Sequence, residues 1–112
     1  MSLTLTGLKN CDTCKKAMKA LTEAGLKPSF VDIRTEADLK TLVPQWLEAV
    51  GSDLLINKRS TTWRNLSEDE RNAGPSALLQ AHPTLIKRPV IETGKTIYVG
   101  WTKDVQAALL EA

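Results

Sequence analysis

The chain has 112 residues, 42% of them hydrophobic, with 15 Lys and Arg against 13 Asp and Glu for a net charge of +2. A chain of that length can bury roughly two-thirds of its unfolded surface, enough for one core without disulfide staples. No apolar run approaches the ~20 residues that cross a bilayer, and the charge balance is too even for a nucleic-acid arm.

The opening Met1-Ser2-Leu3-Thr4-Leu5 has neither the basic start nor the long apolar stretch of a signal peptide. A cytoplasmic chain without a membrane or nucleic-acid partner is therefore expected. Leu3 to Thr6 reads as a strand closed by Gly7. From Thr13, the apolar residues Cys14, Ala17, Met18, Leu21 and Ala24 fall on one face of a helix that Gly25 stops. Phe30, Val31 and Ile33 follow as a second strand, led in by Pro28. A strand, helix and strand of this size predict a right-handed crossover with parallel pairing.

Leu42, Val43, Trp46, Leu47 and Val50 share a helical face, with Gly51 as the stop. Pro44 fits the first turn of that helix if Thr41 is its N-cap. Leu54, Leu55 and Ile56 are expected in a loop leading to Asn57-Lys58-Arg59-Ser60. Thr61 to Leu66 then predicts a short helix carrying Trp63, and Ser67-Glu68-Asp69-Glu70 has the S-x-x-E capping pattern. Pro75 to Ala81 predicts another helix, ended by His82-Pro83. Val90 to Glu92 and Thr96 to Val99 predict a hairpin around Thr93-Gly94-Lys95. Thr102 is placed as the cap of a last helix with Val105, Ala108 and Leu109 buried. The order is β-α-β, a helical insertion over about residues 36–83, then β-β-α: one α/β domain over 1–112 with a four-stranded mixed sheet.

Asn10-Cys11-Asp12-Thr13-Cys14-Lys15-Lys16 is where chemistry is expected. Cys11 falls where a loop enters a helix, so unpaired amides and the positive end of the helix dipole favour its thiolate. Lys9, Lys15 and Lys16 add positive charge, which Asp12 partly opposes. Cys14 lies about one turn further on, on the buried face, within reach of Cys11 but expected to stay protonated. This assigns Cys11 as attacking thiolate and Cys14 as resolving thiol. Inert core cysteines, half of a zinc site and a structural disulfide remain open; the single His82 and the absence of further cysteines weigh against zinc.

Two cationic segments accompany the motif. Ile86-Lys87-Arg88-Pro89-Val90 enters the third strand, and Arg59 lies in the insertion. An ordinary trans proline on an edge strand and a solvated surface arginine are the plain alternatives. Trp46 is expected in the core, as are Trp63 and Trp101, either of which would otherwise edge a substrate groove. His82 is placed as a helix-end residue rather than a base. No Gly-rich phosphate loop is present, so no metal, nucleotide or flavin is expected.

The cysteine motif, Lys58-Arg59-Ser60-Thr61-Thr62-Trp63, and His82-Pro83-Thr84-Leu85-Ile86-Lys87-Arg88-Pro89-Val90 together resemble the arsenate reductase (ArsC) family over nearly the whole chain. Its YffB-type branch is the most similar, with the Spx regulators as a sister branch. The resemblance implies a thioredoxin-like fold with a helical insertion between the second and third strands. It also implies a nucleophile at Cys11, an active-site arginine at Arg88 before a cis Pro89, and, in looser register, a second arginine at Arg59. Arsenate-reducing members have a third arginine near the last helix and usually no second cysteine. Here Val99-Gly100-Trp101-Thr102 lacks the arginine and Cys14 is present. Both departures count against arsenate reduction and leave thiol–disulfide chemistry untouched.

The implied function is a glutathione-dependent thiol–disulfide reductase, with glutathione as co-substrate, an oxidised thiol as substrate and glutaredoxin as a further candidate partner. Cys11, Cys14 and Arg88 would carry catalysis, while Asn10, Thr13, Lys15, Arg59 and Pro89 would bind substrate. A redox regulator that docks on RNA polymerase, in the manner of Spx, and arsenate reduction itself are the alternatives. A monomer is expected, because no heptad or long apolar strand edge is visible.

Overall fold

A computed structural model describes residues 3–94 and 96–110. Strand β1 (Thr4–Gly7) leads into helix α1 (Asp12–Glu23) and strand β2 (Ser29–Asp32). Next come α2 (Leu39–Val50), α3 (Ser52–Leu55), α4 (Thr61–Arg64), α5 (Glu68–Arg71) and α6 (Pro75–Ala81), then a 3-10 turn (Pro83–Leu85). Strands β3 (Val90–Glu92) and β4 (Ile97–Val99) and helix α7 (Lys103–Leu110) complete the order. The four strands form one mixed sheet in the order β2-β1-β3-β4. The β1–β2 pair is parallel, as the crossover predicts, and β1–β3 and β3–β4 are antiparallel. The fold is thioredoxin-like, as the sequence implies.

Alternation along the strands separates two apolar layers. Leu3 and Leu5 of the β1 segment, with Ile91 of β3, pack against Cys14, Ala17 and Leu21 of α1 and Val105 and Leu109 of α7. On the opposite face, Val90 and Val99 pack with Val43 and Trp46 of α2, Leu78 and Leu79 of α6, and Leu55, Leu66 and Leu85. Trp46 is fully buried there, as expected. The register sets Thr6 opposite Val90 and Gly7 opposite Asp32. The end of β1 that leads to Cys11 therefore lies beside the Arg88–Pro89 peptide, which is cis.

The local signals largely hold. Ser67 and Glu70 cap each other's backbone amides at 3.1 and 3.0 Å, a complete capping box. Thr102 Oγ1 accepts from the Val105 N–H at 3.3 Å and so caps α7. Gly94 turns the hairpin at φ +96, which its lack of a side chain permits; Lys95, in the same turn, lies outside the described residues.

Other expectations need correction. Helix α2 begins at Leu39 with Asp38 as N-cap, whose carbonyl accepts from the Leu42 N–H at 2.9 Å; Thr41 is inside the helix, and Pro44 falls within its interior. The Lys40 carbonyl loses its helical donor there, and both residues are exposed, so that carbonyl is open to solvent. Leu54 and Leu55 are helical in α3, a single turn too short to display a period. Ile56 forms an isolated antiparallel bridge with Ile86. Ala24 and Ala108 are exposed, because an alanine at the margin of an apolar face gains little from burial.

Side-chain to backbone bonds hold the irregular part of the insertion. The Arg71 guanidinium donates to the Trp63 carbonyl at 3.1 and 3.3 Å and to the Arg64 carbonyl at 3.2 Å. The Lys58 ammonium and the same guanidinium lie 5.6 and 5.4 Å from the Trp63 ring centre. Trp63 is thus half-buried under two cations rather than fully in the core. His82 ends α6, and its Nε2 lies 3.2 Å from Glu70 Oε2.

Candidate active site

Cys11 is the N-cap residue of α1, in extended backbone at φ −86 and ψ 118. Its carbonyl accepts from the Lys15 N–H at 3.0 Å, and its own N–H donates to the Leu8 carbonyl at 3.2 Å. The side chain takes the place that Ser or Asp usually fills, facing the free amides of the first turn. Sulfur is larger than oxygen, and no capping bond of ordinary geometry closes on it. The amides still bear on its charge. Partial burial pushes the Cys11 thiol up, but the amide and thiol of Cys14, the Arg88 guanidinium and the Thr13 amide together hold it below the usual thiol value.

Cys14 moves the other way. Burial at 1% exposure pushes its thiol up, to about 11. The hydrogen bond to Cys11 and the negative charge there add to the rise, while the Leu8 N–H and Arg88 oppose it. Both thiols are free. The arrangement therefore pairs a Cys11 whose thiolate is favoured over an ordinary cysteine's with a Cys14 that is protonated at neutral pH. Such a pair can attack a disulfide with one sulfur and keep the other in reserve.

Arg88 is half-buried and is the cation that acts on both sulfurs. Pro89 is buried, and its carbonyl accepts from the Gly100 N–H at 2.8 Å. The segment before it is clamped to the insertion: Lys87 N–H donates to the Leu55 carbonyl and Asn57 N–H to the Leu85 carbonyl, both at 2.7 Å. This clamp determines where Arg59 lies. It lines a cavity of about 390 Å³ with Lys58, Lys87, Asp53, Leu54, Ile56 and Asn57, exposed rather than turned onto the sulfurs. Three cations against one carboxylate make this cavity suited to an anion.

The remaining residues expected at the site divide. Thr13 contributes through its backbone amide. Lys15 edges an apolar groove of about 270 Å³ lined by Leu8, Lys9, Cys14, Met18 and Phe30. Asn10 faces a wider cavity of about 560 Å³ with Leu8, Lys9, Asp32, Arg34 and Thr35, and among the described residues its side chain makes no hydrogen bond. Asn10 is thus placed on the cavity wall beside β2 and is not among the groups that lower Cys11. Asp32 shapes this wall by accepting from the Arg34 and Thr35 amides at 2.8 and 3.2 Å.

Sequence reasoning assigned no role to Lys58, the chain neighbour of Arg59, or to Lys87, which the Ile56–Ile86 bridge brings to them; it read Gly7 only as the end of a strand and gave Leu8 no role. A Cβ placed on Gly7 would lie 2.5 Å from Cys14 Sγ. The sequence carries no signal for this, because a turn begins at Leu8 and a glycine before a turn has an ordinary reading. Among the described residues, no group of three or more His, Cys, Asp or Glu could hold a metal ion, and no helix is long and apolar enough to cross a membrane.

The ArsC family model matches residues 7–109. An uncharacterized protein of Haemophilus influenzae is 40% identical over 111 residues, covering 95% of this chain and 97% of its own length. The solved structure of a YffB protein is 33% identical, with a TM-score of 0.88 over 97% of this chain and 99% of its own. The solution structure of an arsenate reductase (ArsC) related protein from Brucella melitensis is 34% identical, with a TM-score of 0.77 over 100% and 97% of the two chains. Family and fold together support a thiol redox function. With the match running from the end of β1 to the last helix, this chain belongs to the ArsC family.

Proposed function

We propose that the protein is a glutathione-linked thiol–disulfide reductase, with Cys11 as nucleophile and Cys14 as resolving thiol. The carrying observation is the opposite displacement of the two thiols within one Cys-x-x-Cys, Cys11 held low and Cys14 pushed up to about 11. The Cys11 thiolate attacks one sulfur of an oxidised substrate; a mixed disulfide forms, the substrate's S–S bond breaks, and the departing sulfur takes up a proton.

Forming the mixed disulfide removes the negative charge from Cys11. That charge is one cause of the raised Cys14 value, so its loss makes the Cys14 proton easier to release. Cys14 then attacks the Cys11 sulfur, the internal disulfide forms, and the bound thiol leaves. Two molecules of glutathione return the pair to dithiol by the same exchange and become oxidised glutathione.

Arg88 supports this reading in two ways: its charge favours the thiolate, and its planar fork suits a carboxylate. The cavity of Lys58, Arg59 and Lys87 supports an anionic co-substrate, since glutathione carries two carboxylates. The Pro89 carbonyl is already engaged by Gly100, so backbone pairing to glutathione falls to the peptide groups of Arg88. The test is the intact mass of Cys14→Ser after exposure to oxidised glutathione at neutral pH. A single adduct on Cys11, formed faster than on the urea-unfolded chain, is expected. An adduct rate equal to that of the unfolded chain would refute the glutathione linkage.

A further inference from the structure

Gly7 ends β1 in a backbone that does not need glycine. It pairs in register with Asp32, and its carbonyl accepts from the Ile33 N–H at 2.9 Å, as in any parallel pair. The positive-φ glycines are Gly25, Gly51, Gly94 and Gly100, and Gly7 is not among them. Within a strand, glycine sacrifices stability to backbone entropy, so alanine would be the better residue if space allowed.

Space is what the bare Cα supplies. A Cβ there would meet Cys14 Sγ at 2.5 Å and Cys14 Cβ at 3.4 Å. The first distance is impossible for a real contact, whereas the second is ordinary. The next residue completes the surroundings, since the Leu8 amide tempers the rise of the Cys14 thiol and the Leu8 carbonyl accepts from the Cys11 N–H at 3.2 Å. Two consecutive residues thus bear on both halves of the cysteine pair. Because Cys14 lies inside α1, its side chain has two comfortable rotamers, and a sulfur driven off Gly7 has one alternative position.

We propose that Gly7 is a positioning residue for the resolving step: its bare Cα is the seat that holds the Cys14 sulfur in line with a mixed disulfide on Cys11. This rests on the two-thiol reading above and deepens it. The step it governs balances simply. Cys14 gives its proton to solvent, its sulfur bonds to Cys11 Sγ, and the Cys11–substrate S–S bond breaks to release a thiolate. Seating acts chiefly on this step: in the first attack Cys14 forms no covalent bond, and its thiol is only one of several groups that lower Cys11.

The test uses 5,5′-dithiobis(2-nitrobenzoate), whose coloured thiolate is released once when Cys11 is captured and again when Cys14 resolves the adduct. Gly7→Ala should keep the first release within about 2-fold and slow the second by about 10-fold or more, the scale of a lost near-attack geometry. In urea, Gly7→Ala should lower the unfolding midpoint in the Cys14 chain but not in a Cys14→Ala chain, where the sulfur is gone. A second release at the parent rate, equal slowing of both releases, or the same midpoint loss in both backgrounds would overturn the proposal. Absence of the first release in the parent chain would instead refute Cys11 as nucleophile, and the urea comparison would still decide whether Gly7 seats Cys14.

Discussion

The two faces of the sheet are ordered by different means. On one, a twelve-residue helix sets Cys14, Ala17 and Leu21 against Leu3, Leu5 and Ile91 at a steady spacing, and a second helix adds Val105 and Leu109. On the other, only α2 is as long; α3, α4 and α5 are four residues each and depend on caps, on Arg71 bonded to two carbonyls, and on one bridge to Ile86. The sulfurs sit on the regular face, where the helix start and a strand glycine set their surroundings. The cations that would meet an anionic substrate come from the irregular side and from the segment clamped to it. Thiol reactivity and anion recognition should therefore be separable: damage to the insertion weakens recognition and stability before it alters the thiols.

The largest effect expected on stability is at Trp46. Trp46→Ala removes the biggest fully buried side chain and should cost about 3–5 kcal/mol in urea unfolding. The low end is expected, because Nε1 has no hydrogen-bond partner among the described residues and its loss leaves no partner stranded. Under folding conditions, Cys11 alkylation should stay within about 2-fold of the parent. A large change in Cys11 reactivity in the folded variant would mean that the two faces are coupled.

Arg88→Ala tests the one cation that spans the comparison. Its charge lowers Cys11, so its loss moves the pH midpoint of Cys11 alkylation upward and leaves less thiolate at neutral pH. An unchanged midpoint would remove Arg88 from the thiol's support. Ser67→Ala is the mildest case. It breaks the capping box at the start of α5 and should cost about 1 kcal/mol while leaving the alkylation profile of Cys11 in place.

The same contrast explains what could be read from sequence. The helix of Cys14, Ala17 and Leu21 is legible because its burial repeats over about two turns, and the parallel crossover follows from its length. Ser67 and Thr102 are legible because a cap is a local bond between a side chain and nearby amides. The start of α2 was misjudged because Pro44 argues for a first turn, whereas an exposed proline further in loses only one donor that water can replace. Leu54 and Leu55 looked like loop because one helical turn has no period. Cys11, Cys14 and the Arg88–Pro89 peptide stood out through residue type and spacing. The cluster of Lys58, Arg59 and Lys87 did not, since the bridge that brings Lys87 to the adjacent Lys58 and Arg59 joins segments thirty residues apart, Ile56 to Ile86. The role of Gly7 was hidden for a related reason, as a glycine kept for space looks the same in sequence as one kept for a turn.

The central claim is that one Cys-x-x-Cys holds two thiols of opposite character. Its most direct test is the alkylation rate of each cysteine against pH, followed by mass on Cys14→Ser and Cys11→Ser. Cys11 should reach half its full rate below the usual thiol value, and Cys14 should stay slow until the pH nears about 11. Two profiles that rise together at the ordinary thiol value, or a Cys14 that titrates first, would contradict the account.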